Sequence, residues 1–227
     1  MADFSKIYRY STLHWNKELI DKGSVRIGTL HNYRKDEHGR GISDAEEGKK
    51  NVSHYIKEAN LSSPITTPRQ QKDFDSIGAF DFIRFPDGMP TNFHMSDVSF
   101  HKQIESPDFY IYCSSSRCSM ETMQQFEKAD SCILISDANA FYERLTVEIS
   151  KTRRVKFLGA HVAIYTSRDE RWNGVDWGTH PALIKDPIFQ PQYEVRAIWE
   201  PIDKTPISCL FFEDTGLTKH CSFVEPT

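Results

Sequence analysis

The stretch Gln190-Pro191-Gln192-Tyr193-Glu194-Val195-Arg196-Ala197-Ile198-Trp199-Glu200 decides how the chain is read. Its residues alternate with the period of two that a β-strand imposes. Tyr193, Val195, Ala197 and Trp199 then share one face, and Glu194, Arg196 and Ile198 the other. Gln192 and Glu194, two residues apart, are expected on one face at the mouth of the strand. A carboxylate there can stabilise a developing cation or accept a proton, while the neighbouring amide orients an attacking group. The same residues also read as a solvated Glu194–Arg196 ion pair on an edge strand, since charged side chains ordinarily stay in water.

Outward from this strand, residues 181–189 lead into it, and residues 108–113 read as a second, central strand that ends in Ser114-Ser115-Ser116. Hydroxyls gathered at a strand end can hold a ribose or simply satisfy the end of the sheet. No G-x-S-x-G elbow surrounds them, so a hydrolase nucleophile is not expected. At the amino terminus residues 6–11 alternate as a strand. Thr12 caps a helix over 13–22, Gly23 ends it, and residues 24–30 form the next strand. Further strands are expected at 52–56, 81–85, 132–136, 153–158, 161–165, 207–212 and 221–224, with Gly159-Ala160 turning between the fourth and fifth of these. Helices are expected over 120–128 and, capped by Asp137, over 138–150. Residues 61–71 and 169–180 read as irregular.

The polar segment 33–48 reads as a loop, and loops on a rigid scaffold carry function disproportionately. Arg34 and Arg40 there can meet phosphates, Asp44, Glu46 and Glu47 can meet a divalent cation, and the whole segment can equally be a solvated turn. Its spacing is not that of an EF-hand. The run 151–154 is a further phosphate candidate, or a helix end whose cations suit the dipole.

The 227 residues allow one large domain or two small ones. Hydrophobic residues make up 38% and aromatics 12%, enough for a core. A net charge of -4 gives no global attraction to nucleic acid or anionic membrane. No apolar run approaches membrane-spanning length and no signal-peptide core is present, so a cytoplasmic protein without a membrane partner is expected. The five cysteines are scattered; Cys113 and Cys118 have a spacing that some zinc sites tolerate, but no second Cys or His pair stands nearby, and all five read as free thiols in a reducing compartment.

Taken in order, Arg9 within Tyr8-Arg9-Tyr10-Ser11, the serines after Cys113, and Gln192-Tyr193-Glu194 resemble the Arg…Ser…Glu plan of the ADP-ribosyltransferase superfamily. The run from Lys185-Asp186-Pro187-Ile188-Phe189 to Arg196 is similar to a bacterial family of unknown function associated with that fold. The serine run here is C-S-S-S where the superfamily usually has S-T-S. The resemblance covers about half of the chain.

The resemblance implies an α+β fold with a split, mostly antiparallel sheet, short flanking helices and NAD, a substrate, in the cleft. It implies one domain over 1–227, with 49–107 as an insertion. Arg9 would contact the pyrophosphate or ribose, and Ser114 or Ser116 the nicotinamide ribose. Glu194 would hold the ribose 2′-OH and oppose the charge of the oxocarbenium-like centre, while Gln192 would meet the acceptor. Tyr8, Tyr10 or Tyr33 would stack on nicotinamide or adenine, and Arg34 would serve the same ligand. Tyr33 gains weight if a His-Tyr-Glu variant of the plan applies. The expected activity is transfer of ADP-ribose to a protein, RNA or DNA, as in a bacterial toxin or antiphage effector with its inhibitor or antitoxin protein. Water as acceptor would make it an NAD glycohydrolase. A non-catalytic nucleotide- or partner-binding module is the alternative, and a metal-dependent nuclease using Glu37, Asp44, Glu46 and Glu47 a third.

Overall fold

A computed structural model describes residues 5–34, 41, 43–61, 64–83, 93–203 and 205–227. The protein is α+β, with mostly antiparallel sheets and few helices. It divides into two compact units. The first comprises Met1–Gly48, Ser106–Ser167 and Ala182–Thr227; the second comprises Lys49–Glu105 and Arg168–Pro181.

The first unit opens with β1 (Ile7–Ser11), α1 (Leu13–Lys22) and β2 (Ser24–Thr29). Thr12 is extended, and its side chain accepts from the Trp15 N–H, which starts α1. Gly23 ends it with φ 69°, and a Cβ there would lie 1.9 Å from the Asp214 carbonyl oxygen. Only glycine meets both demands.

The second unit is a long hairpin of β3 (Lys49–Leu61) and β4 (Phe93–Glu105), covered by α2 (Pro68–Ala79). The start of α2 falls in the segment expected to be irregular. Thr67 and Gln70 cap it reciprocally, and Pro68 takes the first helical position, where its missing N–H costs nothing. Prolines and hydroxyls that read as breakers are here a helix start. Residues 81–83 are turn and coil with Asp81 at φ 54°, so a strand does not begin there; the rest of that expectation, through Gly88, lies outside the described residues.

The chain returns to the first unit through β5 (Tyr110–Ser115), a single α-helical turn α3 (Met120–Met123), β6 (Ser131–Ile135) and α4 (Ala138–Thr152). The helix expected over 120–128 is therefore mostly not α-helical. β7 (Val155–Val162) is one strand, not two joined by a turn. Gly159, at φ 115°, sits in a bulge where its partner strand slips one residue, and this absorbs the irregularity that had suggested a hairpin. β8 (Ile164–Tyr165) follows. β9 (Asp169–Arg171), in the segment expected to be irregular, runs parallel to β3. β10 (Ile184–Lys185), β11 (Glu194–Pro201), β12 (Leu210–Glu213) and β13 (Cys221–Val224) complete the first unit.

β5 organises the main sheet. Along one edge it pairs antiparallel with β11 from Glu194↔Ser115 to Trp199↔Tyr110. On the other it is shared: β1 registers only at Tyr8↔Ser115, and β2 only at Gly28↔Ile111 and Thr29↔Tyr110. Between those two anchorages Tyr112, Cys113 and Ser114 have no registered partner on that edge. β1 and β2, joined by α1, diverge there and open the sheet. The face behind is closed by α1 and α4, whose Leu19, Phe141, Leu145 and Ile149 pack on Val195, Ala197 and Trp199.

Candidate functional site

A cavity of about 450 Å³ occupies this opening. Its walls come from β1, β2, β5, β11 and the segments around them. Of the residues singled out from sequence, Tyr8, Arg9, Tyr10, Tyr33, Ser114, Gln192 and Glu194 line it. Arg34 and Ser116 do not. Arg34 donates from Nε to the Glu47 carbonyl at 2.7 Å, and the Ser116 hydroxyl donates to the Tyr193 carbonyl at 3.2 Å. Arg40 lies outside the described residues.

β11 alternates as expected at Val195, Ala197 and Trp199, but it is not an edge strand. It lies between β5 and β7. Glu194 is 4% exposed and Arg196 2%, so the solvated-pair reading fails. Arg196 donates from Nε to Glu194 Oε1 at 2.6 Å. Its other two nitrogens hold Glu47 Oε1 at 2.7 Å and Oε2 at 3.0 Å, and Nη1 also meets the Ala182 carbonyl at 2.6 Å. Lys185 bonds Glu194 Oε2 and, at 2.8 Å, Gln192 Oε1. Two buried cations thus balance two buried carboxylates, as burial of charge requires.

Gln192 reaches this network by a different route from strand alternation. Residues Pro187–Gln192 form a 3-10 turn that Asp186 caps, and Tyr193 at φ 46° reverses the chain into β11. The Gln192 amide also donates to the Gly41 carbonyl at 2.6 Å. Both ends of that amide are therefore committed to the protein. It holds Lys185 and Gly41 rather than facing an acceptor.

Burial alone would push the Glu194 carboxyl up. The Arg196 guanidinium and Lys185 ammonium outweigh it and bring the group down to about 2. The folded value lies below the unfolded one of about 4.3, so the pair contributes stability that is present above that value and is lost as pH falls toward 2. Thermal melts are expected to drop more steeply below about pH 4.5 in the native protein than in Glu194→Gln; parallel curves would place the acid sensitivity elsewhere.

The other walls are aromatic and hydroxylic. The Tyr10 hydroxyl donates to the Arg117 carbonyl at 2.8 Å and accepts from Ser119 N, while its ring stacks on Phe126 at 5.9 Å. Gly28 leaves room for Tyr33, whose hydroxyl would stand 2.6 Å from a Cβ at that position. Ser114 donates to the Val195 carbonyl at 3.3 Å and lies 3.4 Å from the Tyr142 hydroxyl, tying β5 to β11 and α4. Trp15 and Phe211 line the cavity while remaining 53% and 72% exposed.

Sequence reasoning missed Arg26, Glu47 and Lys185 as cavity residues. Lys185 lay within the quoted K-D-P run, and Glu47 within the acidic loop. Neither had a local signal that it would meet Glu194 or Arg196. In that loop both Glu47 oxygens, offered as metal ligands with those of Asp44 and Glu46, serve Arg196 instead, and Asp44 Oδ1 accepts from Glu46 N at 3.1 Å. Glu37 lies outside the described residues, and no metal-ligand cluster forms among those described. The five cysteines are free thiols. No helix among the described residues is long and apolar enough to cross a membrane. Compared with family models, curated proteins and solved structures, the chain matches none.

Proposed function

We propose that the cavity is an NAD site and that the protein is an ADP-ribosyltransferase acting on a macromolecule, on an ADP-ribosyltransferase-like fold. The observation that carries this reading is convergence. Arg9, Ser114 and Glu194, which are 105 and 80 positions apart in sequence, line one cavity at the place where an antiparallel sheet opens. The Arg9 guanidinium offers paired donors to a pyrophosphate. Tyr8, Trp15 and Phe211 offer rings for the bases. Glu194 is held ionised, and each of its oxygens keeps a lone pair for a ribose 2′-OH beyond its bond to Arg196 or Lys185.

In the reaction, the C1′–N bond of the nicotinamide ribose breaks and its electron pair leaves on neutral nicotinamide. Positive charge develops at C1′ and the ring oxygen, opposed by the fixed Glu194 carboxylate. A nucleophile of the acceptor then bonds C1′ and gives up its proton. As an effector of toxin or antiphage type, the protein would direct this onto protein, RNA or DNA.

A second reading has its own observation. Lys185 and Arg196 neutralise much of the Glu194 charge, which suits a module that binds a nucleotide without chemistry. Nicotinamide release from NAD separates the two, measured with the protein alone and with added protein, RNA or DNA. Release supports the transferase, and dependence on one polymer identifies the acceptor. NAD binding by calorimetry without release under any condition supports the module instead.

A further inference from the structure

Two of the free cysteines meet beside one wall of the cavity. Cys132 lies on β6 directly opposite Tyr10 of β1, and directly opposite Val224 of β13. Opposed residues of antiparallel strands share a face with their Cβ atoms about 5 Å apart, so Cys132 stands beside the Tyr10 side chain. Cys118 reaches the same spot from the turn after β5. Its thiol donates to the carbonyl of Glu225, the residue after Val224, at 3.8 Å. The Tyr10 hydroxyl donates to the Arg117 carbonyl and accepts from the Ser119 N–H, both at 2.8 Å, and so holds the backbone on either side of Cys118. The electrostatics agree with this placement. Burial pushes the Cys132 thiol up to about 12, and the Cys118 thiol beside it adds to the rise. Burial also raises the Tyr10 hydroxyl, and both thiols add to that.

The two thiols differ in access. Cys132 is 1% exposed, whereas Cys118 is half-buried. An oxidant therefore reaches Cys118 first, with Cys132 held behind it as a resolving thiol. Tyr10 and Phe126, stacked at 5.9 Å, both line the cavity. A displacement at Cys118 is passed to that wall through the bonds of the Tyr10 hydroxyl.

We propose that Cys118 and Cys132 form a reversible disulfide under peroxide, and that this bond displaces the Tyr10 wall and weakens ligand binding in the cavity. The Cys118 sulfur attacks one oxygen of hydrogen peroxide. The O–O bond breaks, Cys118 becomes a sulfenic acid, and the other oxygen leaves as water with the Cys118 thiol proton. The Cys132 sulfur then bonds the Cys118 sulfur, the S–O bond breaks, and the hydroxyl leaves as a second water with the Cys132 proton. Two thiols are oxidised and one peroxide is reduced. The new bond draws the sulfurs well inside their non-bonded separation. The 117–119 backbone moves with Cys118 and carries both partners of the Tyr10 hydroxyl with it. A dithiol reductant reverses the bond by exchange. That the ligand is NAD rests on the proposed transferase activity; the thiol pair and its hold on Tyr10 do not.

The test treats reduced protein with hydrogen peroxide, alkylates the remaining thiols and reads intact mass and a peptide map. The native protein is expected to lose two of its five alkylatable thiols, to yield a Cys118–Cys132 linked peptide, and to recover both thiols with dithiothreitol. Cys118→Ser is expected to form no bridge, and Cys132→Ser to stop at a Cys118 sulfenic acid that dimedone captures. No loss of thiols, a bridge between any other two cysteines, or a bridge that survives in Cys118→Ser overturns the proposal. By calorimetry, NAD is expected to bind the oxidised protein at least about fivefold more weakly than the reduced protein, a coupling of ordinary size. Peroxide-treated Cys118→Ser should show no such difference. A bridge with undiminished NAD affinity overturns the switch. If neither form binds NAD, the transferase reading falls, and hydrogen exchange at the Ser119 N–H decides the switch instead. Faster exchange in the oxidised protein is expected, because Tyr10 no longer accepts that proton; an unchanged rate overturns the proposal.

Discussion

Arg196→Met is expected to destabilise the protein by about 3–5 kcal/mol, because it removes one partner of a buried network and leaves carboxylates behind. Glu47 loses both of its guanidinium bonds, and Glu194 keeps only Lys185. For a chain of this length about 1 kcal/mol corresponds to about 2–4 °C, so the melting temperature should fall by on the order of 10 °C. Methionine fills a comparable volume, so the loss is electrostatic and not a cavity. Arg196→Lys should be intermediate, since a point charge cannot serve both carboxylates through a fork. Adding Glu47→Gln to Arg196→Met should recover part of the loss, because it removes one of the stranded charges. A melting temperature within about 2 °C of the native value would mean that the network is solvated and contributes little.

Glu194→Gln is expected to lower nicotinamide release by about 10²- to 10³-fold, the usual effect of removing one preorganised electrostatic group. The amide keeps the shape and an acceptor oxygen but not the charge that, in the proposed transfer, would oppose the oxocarbenium-like centre. NAD affinity should change only a few-fold, since the interaction strengthens mainly in the transition state. The split between kcat and KM distinguishes this from a general loss of folding. Release within about threefold of native in a folded variant would remove Glu194 from the chemistry, in contrast to the loss expected for such a group.

The parts of the fold that were legible in sequence carry strong local signals. Thr12 and Gly23 bracket α1, Asp137 starts α4, and the alternation of Val195, Ala197 and Trp199 places them on the helix-covered face. The errors lie where tertiary partners override local pattern. β7 reads through Gly159 because β11 accommodates the bulge. α2 forms from residues that resemble a loop because Thr67 and Gln70 cap each other.

The site was legible to the extent that its residues sit on such strands. Arg9, Ser114 and Glu194 were singled out by type and order, and all three line the cavity. Arg26 was not, because an arginine in an alternating strand gives no sign that it lines a cavity. The burial of Glu194 was also missed. Its two cations come from Lys185, nine residues earlier, and Arg196, and the carboxylate that frees Arg196 from a wholly local pairing stands 149 positions away at Glu47.

A crystal structure of Glu194→Gln grown with NAD would show the ligand intact, since the variant is expected not to turn it over. NAD is expected in the opening between β1 and β2, its pyrophosphate against Arg9 and its nicotinamide ribose facing position 194. An empty opening under saturating NAD, or NAD bound elsewhere on the chain, would contradict the assignment of this cavity as the NAD site.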